Sequence, residues 1–376
     1  MSILAAKQLE ELSDDELRQL YKEYKKKAGI QKNIEQSIKL LINSLYGYTG
    51  CQYSRFYNKY IAEAITLTGQ ALIRTSELAV NDYLKKITGI EKDYVIYIHT
   101  DSNYINLTDL VYSEKTKWYT KSKDEIITLL DKFTERGLSP QVDKYFKDYF
   151  AATNAYDTCV EMKREAIGAG VFVQKARYTT YVYDNEGIRY ATPELKIVGL
   201  EAIKSSTPSY FRDKMKDVYQ LMYTGTQEDV YAYVEKVKSD FLQLPIEKIG
   251  KPSGISDIIK YENNSNELGN FMKGTPAHVK GALTYNRYIR NNNMVNEYGL
   301  IKSSDKVKLY DLKLPNHLKN DKIAVLGKIP PEFKLEKYVD REAMFNDLFI
   351  SPVNRVLEVA NWEAIKTESL DDMFGF

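Results

Sequence analysis

Cysteine is nearly missing from this chain: Cys51 and Cys159 are the two thiols among 376 residues. Two thiols define neither a disulfide framework nor a zinc-binding set, so free intracellular thiols are the expectation. Histidine is almost as sparse. His99, His278 and His317 stand far apart, which argues against a zinc centre. No apolar run approaches the roughly 18 residues that a membrane span requires. The opening Met1-Ser2-Ile3-Leu4-Ala5-Ala6-Lys7 lacks the basic-then-apolar layout of a secretory signal. Net charge is also close to zero, at +1 from 53 basic and 52 acidic residues. That balance hides local clusters: Lys22, Lys25, Lys26, Lys27 and Lys32 crowd one segment, and Lys280, Arg287 and Arg290 another. A polyanion needs positive potential only along its own path, so the total permits such a partner without requiring one.

What is present is a chain long enough for two or three domains, each with its own core. A content of 43% hydrophobic and 28% charged residues reads as soluble and globular. The 31 tyrosines suit packing and stacking against sugars and bases, though they have no single meaning. Ser13-Asp14-Asp15-Glu16 is a capping-box pattern before an apolar stripe of Leu17, Leu20, Tyr21 and Tyr24. Gly29 is expected to break this first helix. A second, starting near Gln31 and stopping at Gly47, turns Ile34, Ile38, Leu41, Ile42 and Leu45 inward, giving two antiparallel helices over 10–47. A third long helix spans about Ala62 to Leu84. The β-prone runs 94–98 and 103–107 flank a polar turn and predict a hairpin. Residues 124–165 return to helical spacing. A β-prone pair follows, over Ala176–Tyr183 and Ile188–Ala191 around the turn Asp184-Asn185-Glu186-Gly187. Beyond Ser205 the pattern is mostly helical, with a polar loop near 262–267 and short strands between 306 and 327.

Two segments carry recognisable chemistry. In Lys39-Leu40-Leu41-Ile42-Asn43-Ser44-Leu45-Tyr46-Gly47, a helix places Lys39, Asn43 and Tyr46 at i, i+4 and i+7 on one face. A lysine there can hold triphosphate oxygens, an asparagine can hydrogen-bond beside it, and a tyrosine can pack under a base pair. Taken alone, the same trio also fits a solvated lysine and a core-edge tyrosine. In Tyr97-Ile98-His99-Thr100-Asp101-Ser102-Asn103-Tyr104, a lone carboxylate stands at the turn of a hairpin. Simple turn chemistry would also place an Asp there. Metal-assisted phosphoryl transfer needs more carboxylates than one.

Together these segments resemble motifs B and C of the family B DNA polymerases, in particular the T4-like phage branch. The resemblance implies that Lys39 meets the incoming nucleotide's phosphates, with Asn43 beside it, and that Tyr46 lines the nascent base-pair pocket. It makes Asp101 the motif C metal ligand. His99 departs from the family, which has an Asp there. Lys175-Ala176-Arg177-Tyr178 resembles the Lys-Lys-Arg-Tyr motif that grips the primer end, with Ala176 in place of the second lysine. Lys175, Arg177 and Tyr178 are the implied DNA contacts. Met162-Lys163-Arg164-Glu165-Ala166-Ile167 resembles Met-Asp-Arg-Glu-Ala-Ile, a palm strand, and implies that Glu165 lies near the metals; Lys163 departs. Pro193–Glu201 looks like the palm-to-thumb junction. His278–Arg287 is similar to a thumb segment, with Lys280, Tyr285 and Arg287 as backbone contacts. The tail Ser369–Phe376 resembles a clamp-binding C-terminus anchored by Leu370, Met373, Phe374 and Phe376.

The resemblance implies an α+β fold, part of a right-hand polymerase. The second part of the fingers falls at 1–51 as a helical hairpin segment. A mixed-sheet palm falls at 52–199, a mostly helical thumb at 200–352, and the end of the thumb with the tail at 353–376. The implied function is that of the C-terminal subunit of a split DNA-directed DNA polymerase in the cytoplasm of an infected bacterial host. Two Mg²⁺ ions would be shared with an N-terminal chain carrying the exonuclease, motif A and the first fingers helix. Primer-template DNA, deoxynucleoside triphosphates and a sliding clamp are the other expected partners. Two other readings stay open: a non-catalytic DNA-binding and clamp-tethering module derived from a polymerase, and a fragment of a full-length enzyme.

Overall fold

The structure, a computed structural model, describes residues 12–157, 160–262 and 271–366. Helix α1 spans Asp14–Gly50 and α2 spans Lys59–Thr88. Strands β1 (Val95–His99) and β2 (Ser102–Ile105) pair as an antiparallel hairpin. Helix α3 (Lys123–Phe133) leads through a π-helical turn at Thr134–Leu138 into α4 (Ser139–Ala152). Strands β3 (Ala166–Gln174), β4 (Arg177–Asn185) and β5 (Ile188–Val198) form an antiparallel sheet with β4 in the centre. Next come α5 (Ser209–Thr224), α6 (Gln227–Leu242) and β6 (Lys251–Gly254), followed by α7 (Ala277–Asn291). Strands β7 (Lys306–Asp311) and β8 (Lys322–Val325) complete a three-stranded sheet with β6, and α8 covers Ser351–Val359. The chain divides into two compact units: Met1–Ser113 with Leu138–Met162, and Glu114–Gly137 with Lys163–Phe376. The mixed helix and antiparallel sheet are those of an α+β fold.

The first unit begins with a correction. The capping box forms as expected, with Ser13 Oγ accepting from the Glu16 amide and Glu16 reaching back to Ser13. The break at Gly29 does not: α1 is one helix of 37 residues, not a helical hairpin. A glycine inside a helix costs only about 1 kcal/mol relative to alanine. The flanking Lys, Gln, Glu and Leu residues carry the helix past that cost. The inward face is corrected too, because no residue of α1 is buried, and Ile38, Leu41 and Leu45 are 51%, 68% and 64% exposed. The apolar stripe is present on the helix, but among the described residues of the first unit nothing covers it.

Helix α2 is capped by Asn58, whose side-chain oxygen accepts from the Tyr60 and Ile61 amides. Its C-terminal half buries Ile73, Ala79, Val80 and Leu84, and it packs against α4. Tyr145 of α4 donates to Asp82 of α2 at 2.7 Å.

The helical expectation over 124–165, a range that both units share, holds only in part, since α4 ends at Ala152 and residues 160–165 are irregular before β3. In the second unit the helices and the sheet pack together. The unit's core runs from Leu200 to Ile365 and is lined by rings. Phe211 lies within 6.0 Å, centroid to centroid, of Phe241, Phe345 and Phe349. Val171, Val173, Leu195 and Ile197 of the β3–β4–β5 sheet pack against this core, so sheet and helices form one body within the unit.

Candidate functional site

The turn of the β1–β2 hairpin consists of Thr100 and Asp101, between the paired residues His99 and Ser102. Thr100 takes φ 51°, a left-handed conformation that a β-branched residue adopts only under constraint. Asp101 is exposed, and its Oδ1 accepts a hydrogen bond from Ser102 Oγ at 3.2 Å. His99 faces solvent beside it, 3.4 Å from the Thr100 hydroxyl.

The hairpin is bolted to α2 by polar side chains. Buried Asn81 accepts from the Tyr94 amide at 2.7 Å and from the Val95 amide at 3.3 Å, pinning the entry to β1. Asn103 on β2 donates to fully buried Ser76 at 2.6 Å, and the Thr88 and Tyr94 hydroxyls meet at 2.6 Å. Sequence reading passed over Asn81 and Ser76. Each is an ordinary polar residue in a helical run, and only tertiary contact gives it a partner.

Lys39, Asn43 and Tyr46 do share one face, because α1 is continuous through all three. All are exposed, Tyr46 at 46%. Lys39 pairs with Glu35 one turn earlier at 2.6 Å, and the lysine's hydrogen bond holds the Glu35 carboxyl below its usual range. Such an exposed pair is weak and leaves the ammonium able to exchange partners.

In the second unit Glu165 is exposed immediately before β3 rather than within a strand. Its carbonyl accepts from the Glu186 amide at 2.6 Å and from Arg164 Nη1 at 3.3 Å. Arg164 itself is held between Asp131 of α3 and Asp184 of β4, both at 2.5 Å. This network, unmarked by any spacing, fixes the chain beside Glu165.

The Lys175–Tyr178 segment forms the β3–β4 turn. Lys175 is exposed, Arg177 is half-buried against Glu201 at 2.6 Å, and Tyr178 is buried at 9%, stacked 4.8 Å from Phe172. Helix α7 presents Lys280 and Arg287 half-buried at i and i+7 on one side, with the Arg287 guanidinium 5.9 Å from the Phe271 ring centre. Tyr285 does not join them. It is fully buried and donates to the Tyr298 carbonyl at 3.1 Å, and burial pushes its phenol up to about 12. Its position, five residues after Lys280, turns it to the opposite side of the helix, into the core. This corrects the expectation that Tyr285 touches DNA. Leu370, Met373, Phe374 and Phe376 lie outside the described residues.

Asp101 fits a divalent ion in donor chemistry: an exposed, hard carboxylate oxygen on a fixed turn. Among the described residues no group of three or more His, Cys, Asp or Glu is placed to hold a metal ion. No helix among them is long and apolar enough to cross a membrane.

Comparison with known proteins gives this geometry a context. The family model described as DNA polymerase family B matches residues 14–328. The DNA-directed DNA polymerase of Escherichia phage RB69 is 31% identical over 93% of this chain and 39% of its own length. That of Enterobacteria phage T4 is 27% identical over 98% of this chain and 42% of its own. DNA polymerase 1 of Sulfurisphaera ohwakuensis is 25% identical over 85% of this chain. The chain thus spans about two-fifths of the length of the phage relatives it matches. With the match running through both motif-bearing segments and most of both units, the chain belongs to the family B DNA polymerases.

Proposed function

We propose that this chain is the C-terminal, motif B and motif C subunit of a split DNA-directed DNA polymerase. The observation that carries the reading is Asp101. It is an exposed carboxylate on a two-residue turn, held by a hairpin that Asn81 and Ser76 anchor to α2, in a segment similar to a family motif. The reaction is attack of a primer 3′-hydroxyl on the α-phosphate of a deoxynucleoside triphosphate, forming the O3′–P bond and releasing pyrophosphate. When bound, two Mg²⁺ ions supply Lewis-acid stabilisation of the negative charge, with Asp101 as this chain's ligand and Glu165 close by in role. Lys39 offsets triphosphate charge, Asn43 hydrogen-bonds beside it, and Tyr46 supports the nascent base pair. Lys175, Tyr178, Lys280 and Arg287 belong to the DNA-facing set, Tyr178 as the packed support of its turn. On this reading residues to 51 are fingers, 52–199 palm and 200–352 thumb, and Ser369–Phe376 tethers a sliding clamp.

The second metal-binding carboxylate, the exonuclease and the first fingers helix are assigned to a separate N-terminal chain. The exposed apolar stripe of α1 supports that assignment. Primer extension with Mg²⁺ tests it, using this chain alone and mixed with a separately produced N-terminal polymerase chain. Extension only in the mixture, abolished by Asp101→Ala, is the expected result. Extension by this chain alone rules out the split-subunit reading.

His99, Lys163 and Ala176, which stand where the family has Asp, Asp and Lys, favour a second reading as a non-catalytic DNA-binding and clamp-tethering module. That reading predicts no extension in the mixture, with DNA and clamp binding intact in both the parent chain and Asp101→Ala.

A further inference from the structure

Resemblance makes Arg177 a DNA contact, but its surroundings give it other work. The turn before it is pressed onto the end of β5. Ala176 takes φ 56°, and Gly199 takes φ +63° with its backbone so close that a Cβ there would stand 2.0 Å from the Ala176 carbonyl oxygen. Only glycine meets both demands. Behind this contact, Arg177 Nη2 lies 2.6 Å from Glu201 Oε1, and the two side chains are only 22% and 19% exposed. Arg177 Nε is buried with no hydrogen-bond partner among the described residues. Glu201 also faces Lys204 at 3.4 Å and Arg355 of α8 at 3.6 Å. Burial alone would raise its carboxyl pKa, but a hydrogen bond from its own backbone and the three cations hold it below the usual range. One carboxylate therefore links the β3–β4 turn, the chain after β5 and α8.

We infer that Arg177 is a positioning residue, held by Glu201 to fix the turn, and that Lys175 is the phosphate contact that this turn offers. The inference rests on the reading of the turn as a DNA-facing element. A guanidinium committed to a half-buried carboxylate has little to gain from a phosphate, because leaving would strand Glu201 with poorer partners. Lys175 has no such commitment to Glu201 and is exposed at the tip.

The two roles differ in salt dependence. A side chain that neutralises a duplex phosphate contributes about 0.9 to the slope of log affinity against log salt concentration, and a residue that only orders a turn contributes none. The experiment titrates a fluorescent primer-template duplex with the full chain across a range of salt concentrations. Lys175→Ala should lower the slope by about 0.9. Arg177→Met, which keeps the apolar stem, should weaken binding roughly two- to tenfold at unchanged slope, as expected when one rotamer-rich segment must be ordered on binding. If Arg177→Met does not fold, Arg177→Lys serves. It should weaken binding at unchanged slope, whereas a simple phosphate contact would survive that change untouched. A slope loss in Arg177→Met overturns the inference, and so does a variant that binds like the parent. An unchanged slope in Lys175→Ala overturns the DNA-facing reading of the turn itself, separately from the role of Arg177.

Discussion

Asp184 is only 3% exposed, yet its carboxylate receives hydrogen bonds from Arg164, Arg189 and the Gly187 amide. Burial pushes its pKa up, but the hydrogen bond and charge of Arg164 outweigh this and leave it below the ordinary carboxylate value. A carboxyl depressed in the folded state adds stability that is complete above the unfolded value of about 3.9. That stability is lost as pH falls through the lower native value. Asp184→Asn should therefore cost about 2 kcal/mol at pH 7 and progressively less in acid, which urea unfolding at pH 7 and pH 3 would measure. An equal cost at both pH values would mean that the charge contributes nothing. Asn81 makes a comparable case in the first unit. Asn81→Ala leaves the buried amides of Tyr94 and Val95 without an acceptor and should cost about 3 kcal/mol in thermal or urea unfolding. Because those amides open the strand that leads to Asp101, the proposed function predicts that the same variant lowers primer extension by the mixed chains by more than its folded fraction explains.

Among the elements, α1 departs most from what its sequence predicts. Its capping box and the shared face of Lys39, Asn43 and Tyr46 are local properties and form as expected, whereas its apolar stripe is exposed and not inward. The break at Gly29 was predicted from propensity, which is too weak by itself to end a helix with good formers on both sides. Nothing lies within 4 Å of a Cβ placed at Gly29, so alanine fits without a clash. Gly29→Ala should stabilise the helix locally by about 0.5–1 kcal/mol, seen as slower amide hydrogen exchange along α1. Faster exchange would mean that the glycine serves a bend that this conformation does not display. The β1–β2 hairpin and the β3–β4–β5 sheet were readable from alternation and turn residues. The end of α4 at Ala152 was not, because the helical spacing that runs over 124–165 does not itself mark where a helix stops.

For the whole molecule, the exposed stripe of Ile34, Ile38, Leu41 and Leu45 is the main consequence, since soluble proteins rarely leave so much contiguous apolar surface open. If an N-terminal chain covers it, Ile38→Asp should weaken assembly by at least about tenfold while changing the thermal midpoint of the isolated chain little. Sedimentation of the mixed chains reads the first effect and differential scanning calorimetry the second. Full assembly with Ile38→Asp would place the partner elsewhere.

Properties carried by near neighbours were determined by the sequence alone: the capped start of α1, strand alternation, the hairpin turn at Asp101 and the shared face of Lys39, Asn43 and Tyr46. Spacing along a chain of known period settles these. Tertiary structure decided what depends on distant partners. It buried Tyr285, committed Arg177 to Glu201, tied Arg164 to Asp131 and Asp184, and put Asn81 under the hairpin. A side chain's role there is set by what packs against it, and no local pattern names a partner that lies dozens of residues away.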